Sequence, residues 1–320
     1  MKMKDMKDMK VLILSDLEGV SGLYSLSDEE ENTRFYTLEL CAVIDALHAI
    51  GVRDITVCDA HDSGDTLDRD VMRSKGADVI AQFWNIDVSV KYDMALLTGF
   101  HGMNGAGGCS PHTFRPDIQS LAIDGLYNAG EVEVFMRWLA LHEIPVVFVS
   151  GDDAAAREAA RSDPHITACV VKGGDTPPKS QVCCIHDNMR DQIKLAVLNA
   201  THSLSYGIDN ALNIQLVNED LYMELPALWN ITSSGLLFNG YDDFVCSIKR
   251  LCSDLNHASY VVISRSFEFV NAIRPELSIY PKQDIMRSEI SRLLSKTPLS
   301  LTAKDRAAIH DYIQKLKSDW

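Results

Sequence analysis

A chain of 320 residues can bury a full core, as one large domain or two smaller ones. Its net charge of -15 repels polyanions and sets nucleic acid aside as a partner. No apolar run is long enough to cross a bilayer, and the Lys/Asp/Met repeat from Met1 to Lys10 lacks the hydrophobic core of a signal peptide. The expected setting is therefore the cytoplasm, with no membrane partner.

In chain order, the apolar run Val11 to Leu14 is followed by a helical pattern through Leu40, Val43, Leu47 and Ile50, then by the run Ile55 to Cys58. This β-α-β rhythm continues through Asp78 to Ile80, Met94 to Leu97 and Leu121 to Ile123. A helix with Val132, Phe135 and Leu139 on one face and the run Val146 to Val149 come next. Parallel strands need crossover helices, so the expected fold class is α/β, a mostly parallel sheet with flanking helices over residues 1–172. The pattern breaks at Gly173 to Pro178. Beyond it, a helix through Ile193 and Val197, a strand from Leu212 to Val217 and a helix with Phe244, Ile248, Leu251 and Leu255 in register form a smaller α+β second lobe, residues 173–274. Past Arg274-Pro275 the chain is more polar. Residues 275–320 are expected to be a helical C-terminal extension, with Ile309, Ile313 and Leu316 on one face and Thr302 as an N-cap.

The eight cysteines include no Cys-x-x-Cys pair, and several lie in apolar runs, so reduced thiols are expected rather than a disulfide framework. Cys109 stands apart, in a Gly-rich stretch near two histidines, where a small residue in a turn is the plainer account.

Five hard-ligand side chains stand where apolar runs end or a helix begins: Asp16, Glu18, His61, His101 and Glu131. Ligands collect at the carboxyl ends of strands in such sheets. Carboxylates with imidazoles suit zinc or another first-row divalent ion, and five are more than one tetrahedral ion needs if a position is to stay open. Two ions sharing a carboxylate satisfy that count.

Each residue also has a bland account. Asp16 and Glu18 project to one side of an extended chain in Ser15-Asp16-Leu17-Glu18-Gly19, yet an acid pair after a strand is often a solvated turn. His61 has Asp59 and Asp62 nearby as orienting acceptors, yet a lone histidine after a strand is commonly a hydrogen-bonded surface residue. His101 lies between Gly99 and Gly102 under the same ambiguity. Glu131 opens a helix, where the dipole alone favours a carboxylate. His112, in a Gly/Pro-rich loop, is either a proton donor or transition-state stabiliser near the ions, or a loop residue with no role.

Two alternatives stay open on these residues. Gly151-Asp152-Asp153 and Asp16-Leu17-Glu18-Gly19 resemble the acidic turn and nucleophile loop of haloacid-dehalogenase phosphatases, a magnesium reading that leaves His61 and His101 idle; Asp153 as the N-cap of a helix over Ala154 to Ala160 is the simpler view. The other is a non-catalytic protein that keeps the metal for structure. His48, His142, His165, His186 and His310 fall on helices or polar loops without a role.

Taken in order, Ser15 to Gly22, Asp59-Ala60-His61, Gly99-Phe100-His101, Ser110-Pro111-His112, Gly130-Glu131 and Ser150 to Asp153 resemble the D-aminopeptidase family of self-compartmentalising zinc peptidases linked to dipeptide transport. The likeness spans Val11 to His257. It implies two zinc ions bridged by Asp16, with Glu18 and His61 on one, His101 and Glu131 on the other, and His112 as the catalytic residue outside the coordination sphere. It further implies hydrolysis of short peptides with a free amino end, often of D-residues, in a ring-like homo-oligomer. Gly173 to Ser180 departs from the family pattern, with Lys179 where an arginine is expected, and the C-terminal extension has no counterpart.

Overall fold

A computed structural model describes residues 5–23, 25–173, 181–200, 210–279, 296 and 298–318. Its first strands are the apolar runs read from the sequence: β1 (Lys10–Ser15), β2 (Asp54–Asp59), β3 (Ala77–Ala81) and β4 (Met94–Phe100), with helices α1 (Glu29–Ala49) and α2 (Arg69–Ser74) between them. After β5 (Ile118–Ile123) and β6 (Tyr127–Ala129) come α3 (Glu131–Leu141), β7 (Val146–Asp152), α4 (Asp153–Ser162) and β8 (Thr167–Lys172). The rest comprises α5 (Val182–Leu198), β9 (Leu212–Leu216), α6 (Glu219–Glu224), β10 (Ile231–Thr232), β11 (Gly235–Phe238) and α7 (Tyr241–Ile279). A helix over Ala303–Ser318 follows.

Six strands form a parallel sheet in the order β3-β2-β1-β4-β7-β8. Alternation along each strand sends side chains to opposite faces. Val11 and Ile13 face α1 and α5, joining Phe35, Leu40, Met189 and Ile193 in one core. Leu12 and Leu14 face the other way, into a core with Val132, Phe135 and Leu139 of α3. The connections reverse direction at β1, which lies between β2 and β4. Such a switch point opens a crevice at the strands' carboxyl ends, where crossovers leave on opposite faces.

The second sheet corrects one expectation. Leu121 to Ile123 was read into the parallel series, but β5 pairs antiparallel with β6 and β9, in the order β10-β11-β9-β5-β6. The reason is visible in its burial: Ile118, Leu121 and Ile123 are buried while Gln119 is exposed. That alternation belongs to an antiparallel strand with one wet face, unlike the wholly buried β4.

Helix α7 seals this assembly by inserting Phe244, Ile248, Leu251 and Leu255 into the core that α3 and the second sheet share. It continues through Arg274-Pro275 to Ile279. A proline costs one helical hydrogen bond, which a 39-residue helix can carry. Before the terminal helix, Thr302 caps as expected: Asp305 N donates to Thr302 Oγ1 at 3.1 Å, and Asp305 Oδ2 accepts from Thr302 N at 3.0 Å. Ile309 is buried, while the side chains of Ile313 and Leu316, like Lys179, lie outside the described residues.

Candidate metal centre

The switch point brings two loops into direct backbone contact. Asp16 N donates to Thr98 O at 2.9 Å, and Gly19 N donates to Gly99 O at 2.8 Å. Nothing larger than glycine fits at this crossing. A Cβ on Gly19 would meet Phe100 O at 1.8 Å, and one on Gly99, whose φ is +72°, would meet Asp16 O at 2.0 Å. Beneath the loops, the buried Tyr36 hydroxyl donates to Ser15 O at 2.7 Å and to Asp59 Oδ1 at 3.1 Å, so α1 clamps the ends of β1 and β2.

These contacts bring the candidate residues together. His61 Nδ1 lies 3.4 Å from Asp16 Oδ1 and 3.0 Å from Glu18 Oε2. On the other side, His101 Nε2 lies 3.4 Å from Asp16 Oδ2 and 3.4 Å from Glu131 Oε1. Asp16 thus faces one histidine with each oxygen. Among the described residues, three groups of three have ligand atoms within 4.8 Å of one another: Asp16, Glu18 and His61; Asp16, His101 and Glu131; and Glu18, His101 and His112. His112 Nε2 stands 3.9 Å from Glu18 Oε1, and its ring stacks on that of His101, with centroids 4.1 Å apart.

The electrostatics favour positive charge at the centre. Burial pushes the Asp16 and Glu131 carboxyls up, but His61 and His101 at Asp16, and His101 with His112 and the Phe114 N–H at Glu131, overcome it and hold both below their ordinary values. Burial pulls the imidazoles down, yet the facing carboxylates raise His61 to about 11 and His101 to about 10. Three buried or nearly buried acids therefore retain protons on two histidines where a cation would compete for the same lone pairs. Asp16 Oδ2 and Glu18 Oε2 are buried and make no well-aligned hydrogen bond, although His101 and His61 stand 3.4 and 3.0 Å away, an arrangement that a cation between the groups would satisfy. His101 Nδ1 is 2.9 Å from Gly102 O; since a carbonyl only accepts, that nitrogen keeps its hydrogen, and Nε2 is the nitrogen that would give up its proton to a cation. The donor set fits zinc.

The orienting acceptors differ from expectation at His61. Asp59 takes Tyr36 Oη and Leu67 N instead of the imidazole, because those groups reach its two oxygens at 3.1 and 3.0 Å. The loop holding His101 to His112 is organised by Asp152, which the sequence reading places only in the acidic turn of the phosphatase alternative and in the family resemblance. Its Oδ2 accepts from Gly102 N at 3.1 Å and Cys109 N at 2.8 Å, and its Oδ1 caps α4 through Ala155 N at 2.8 Å. Asp152, and not Asp153, is therefore the N-cap; Asp153 instead pairs with Arg157. His112 Nδ1 is 2.9 Å from Ser110 O, so the outer nitrogen is tied to its own loop and Nε2 faces inward.

Two further buried groups support the first loop from behind. Lys172 Nζ donates to Glu18 O at 2.9 Å; burial lowers its pKa while the nearby Cys109 and Asp152 pull it back up. The cysteine that had no basic neighbour in sequence thus has one in space. His186, given no role from sequence, is buried with Nε2 2.8 Å from Ser21 Oγ, and burial lowers its pKa to about 4. Nothing local could reveal a contact between residues 165 positions apart. No disulfide joins any of the eight cysteines.

The ligand cluster forms the floor of a cavity of about 750 Å³, walled by Phe83, Trp84 and Phe114 and, from α7, by Lys249 and Asn256.

Comparison with known proteins matches residues 9–219 to the family model of peptidase family M55, D-aminopeptidase. A D-aminopeptidase of Bacillus subtilis (strain 168) is 26% identical over 189 residues, covering 55% of this chain and 68% of the relative. Among solved structures, the fold resembles the Zn-dependent D-aminopeptidase DppA from Bacillus subtilis, a self-compartmentalizing protease. That match has a TM-score of 0.65 at 21% identity, covering 78% of this chain and 98% of the other.

Proposed function

The chain belongs to the D-aminopeptidase family, and from that premise we propose that it is a zinc-dependent amide hydrolase, an aminopeptidase for short peptides that include D-residues. The observation that carries this reading is Asp16, whose two oxygens face His61 and His101 at 3.4 Å each. With Glu18 and His61 on one side of it and His101 and Glu131 on the other, Asp16 would help to hold a pair of zinc ions.

Zinc held by these residues would supply a Lewis acid, able to draw the pKa of water to ~7 and to polarise a carbonyl. The protein's own groups do the rest. Glu18 and Glu131, which both line the cavity, attract the free amino end of a peptide. His112, anchored through Nδ1, presents Nε2 to the cavity, where it donates a hydrogen bond to a developing oxyanion or a proton to the departing nitrogen. The stacked His101 ring limits how far the His112 ring can turn.

The phosphohydrolase alternative is not favoured. It leaves idle the two histidines at the centre, and it needs Asp152, whose carboxylate is occupied by three backbone N–H groups. A purely structural metal site has no use for His112.

We extend to this chain a ring-like homo-oligomer, supported by the self-compartmentalizing description of its structural relative. A cytoplasmic setting suits eight cysteines that form no disulfide. The test is turnover: zinc-loaded protein should hydrolyse alanyl dipeptides of one or both hands. Inertness toward both would overturn the reading.

A further inference from the structure

Helix α7 begins beyond the family match, which ends at residue 219, yet it forms the cavity wall across from the ligand cluster. Lys249, Cys252, Ser253 and Asn256 all line the cavity, at helical positions i, i+3, i+4 and i+7, so one face of α7 is turned to the site. That face is locked to the loop bearing His112. Phe114 packs edge-on against Phe244 at 5.1 Å, Arg115 Nη2 donates to Asn256 Oδ1 at 2.9 Å, and Ser259 Oγ donates to Asp117 Oδ2 at 2.9 Å. The wall is pre-organised with respect to the chemistry.

Its charges are unequal. The Arg115 guanidinium is spent on Asp117, with Nε to Oδ1 at 2.9 Å and Nη2 to Oδ2 at 2.8 Å. Lys249 is exposed and makes no ion pair among the described residues. The cavity therefore has a carboxylate-rich floor and, at its α7 rim, an ammonium without a counter-ion. A ligand that complements both ends carries an amine at one end and a carboxylate at the other.

We infer that Lys249 of α7 is a specificity residue which receives the C-terminal carboxylate of the substrate, so that the site selects unblocked short peptides over their amides. The inference rests on the aminopeptidase reading. Volume agrees with it: about 750 Å³ is room for a peptide of a few residues and not for a folded chain. The expected preference is modest because the rim is open to solvent, on the scale of an exposed ion pair.

The experiment compares alanylalanine with its C-terminal amide on zinc-loaded wild type, Lys249→Met and Lys249→Glu, reading both kcat/KM and calorimetric Kd. Wild type should favour the acid; Lys249→Met should lower the acid-over-amide ratio about fivefold, through KM more than kcat, and Lys249→Glu should lower it further. Lys249→Arg should restore it. An unchanged ratio in Lys249→Met and Lys249→Glu overturns the inference while leaving hydrolysis intact. Absence of turnover with the Kd preference and its loss in Lys249→Met preserved would instead strike the aminopeptidase reading alone, since the binding arm needs no catalysis.

Discussion

The imidazole rings of His101 and His112 lie stacked, 4.1 Å between centroids and 10° between planes, although one is buried among carboxylates and the other stands in a loop. The pair divides labour by position. His101 points Nε2 at Asp16 and Glu131, while His112 lies 3.9 Å from Glu18 and lines the cavity. Replacing His112 with Ala should therefore lower kcat by roughly 10²–10⁴-fold, the usual range for a lost acid or base. Metal content, read by elemental analysis, should stay at the wild-type level; full activity in His112→Ala would remove the catalytic assignment.

Asp152 predicts a different phenotype. Its carboxylate accepts three backbone N–H bonds that tie the His101 to His112 loop to α4. Asn would present an NH₂ group to those donors and leave buried N–H groups unmet, at about 1–3 kcal/mol. Urea unfolding of Asp152→Asn should show that loss, with slower turnover and zinc retained. A variant as stable as wild type would mean the loop is held by something else.

Gly99→Ala tests the backbone crossing. The added Cβ falls 2.0 Å from Asp16 O at φ +72°, so the two loops must part. We expect a stability loss of about 3 kcal/mol or more and weaker zinc binding, because Asp16 and His101 no longer meet. A zinc titration with wild-type affinity would contradict this.

Glu158, which holds the Gly130 N–H beside Glu131, sets a pH dependence of stability. It is buried, accepts Gly130 N and Glu133 N at 2.9 Å each, and burial, with the neighbouring Glu133, raises its pKa to about 7. A folded-state pKa above the unfolded one means the native chain binds the extra proton. Its stabilising contribution is complete below about 4.5 and fades as pH climbs through about 7. The difference is at most about 3 kcal/mol by linkage. Glu158→Gln, which keeps an acceptor oxygen, should flatten the stability profile between pH 5 and 8 relative to wild type; parallel profiles would refute the assignment.

Much of this was legible in the sequence because the signals were local. Wholly apolar runs such as Val11 to Leu14 mark buried parallel strands, and Asp16, His61 and His101 follow such runs directly. Where two neighbours could fill one role, the local signal failed: Asp152 and Asp153 are both capable caps, and only the reach to Gly102 and Cys109 decides for Asp152. The alternation in β5 was readable but was overridden by the surrounding β-α-β rhythm. Contacts made across the fold, such as Ser21 with His186, or α7 closing over the cavity, leave no trace in spacing.

The most direct test of the account is the zinc stoichiometry of the purified chain and three of its variants. Wild type should hold two ions per chain, His61→Ala and His101→Ala about one each, and Asp16→Ala almost none. A wild-type chain that binds no zinc, or histidine variants that keep the full complement, would contradict a paired centre built on Asp16.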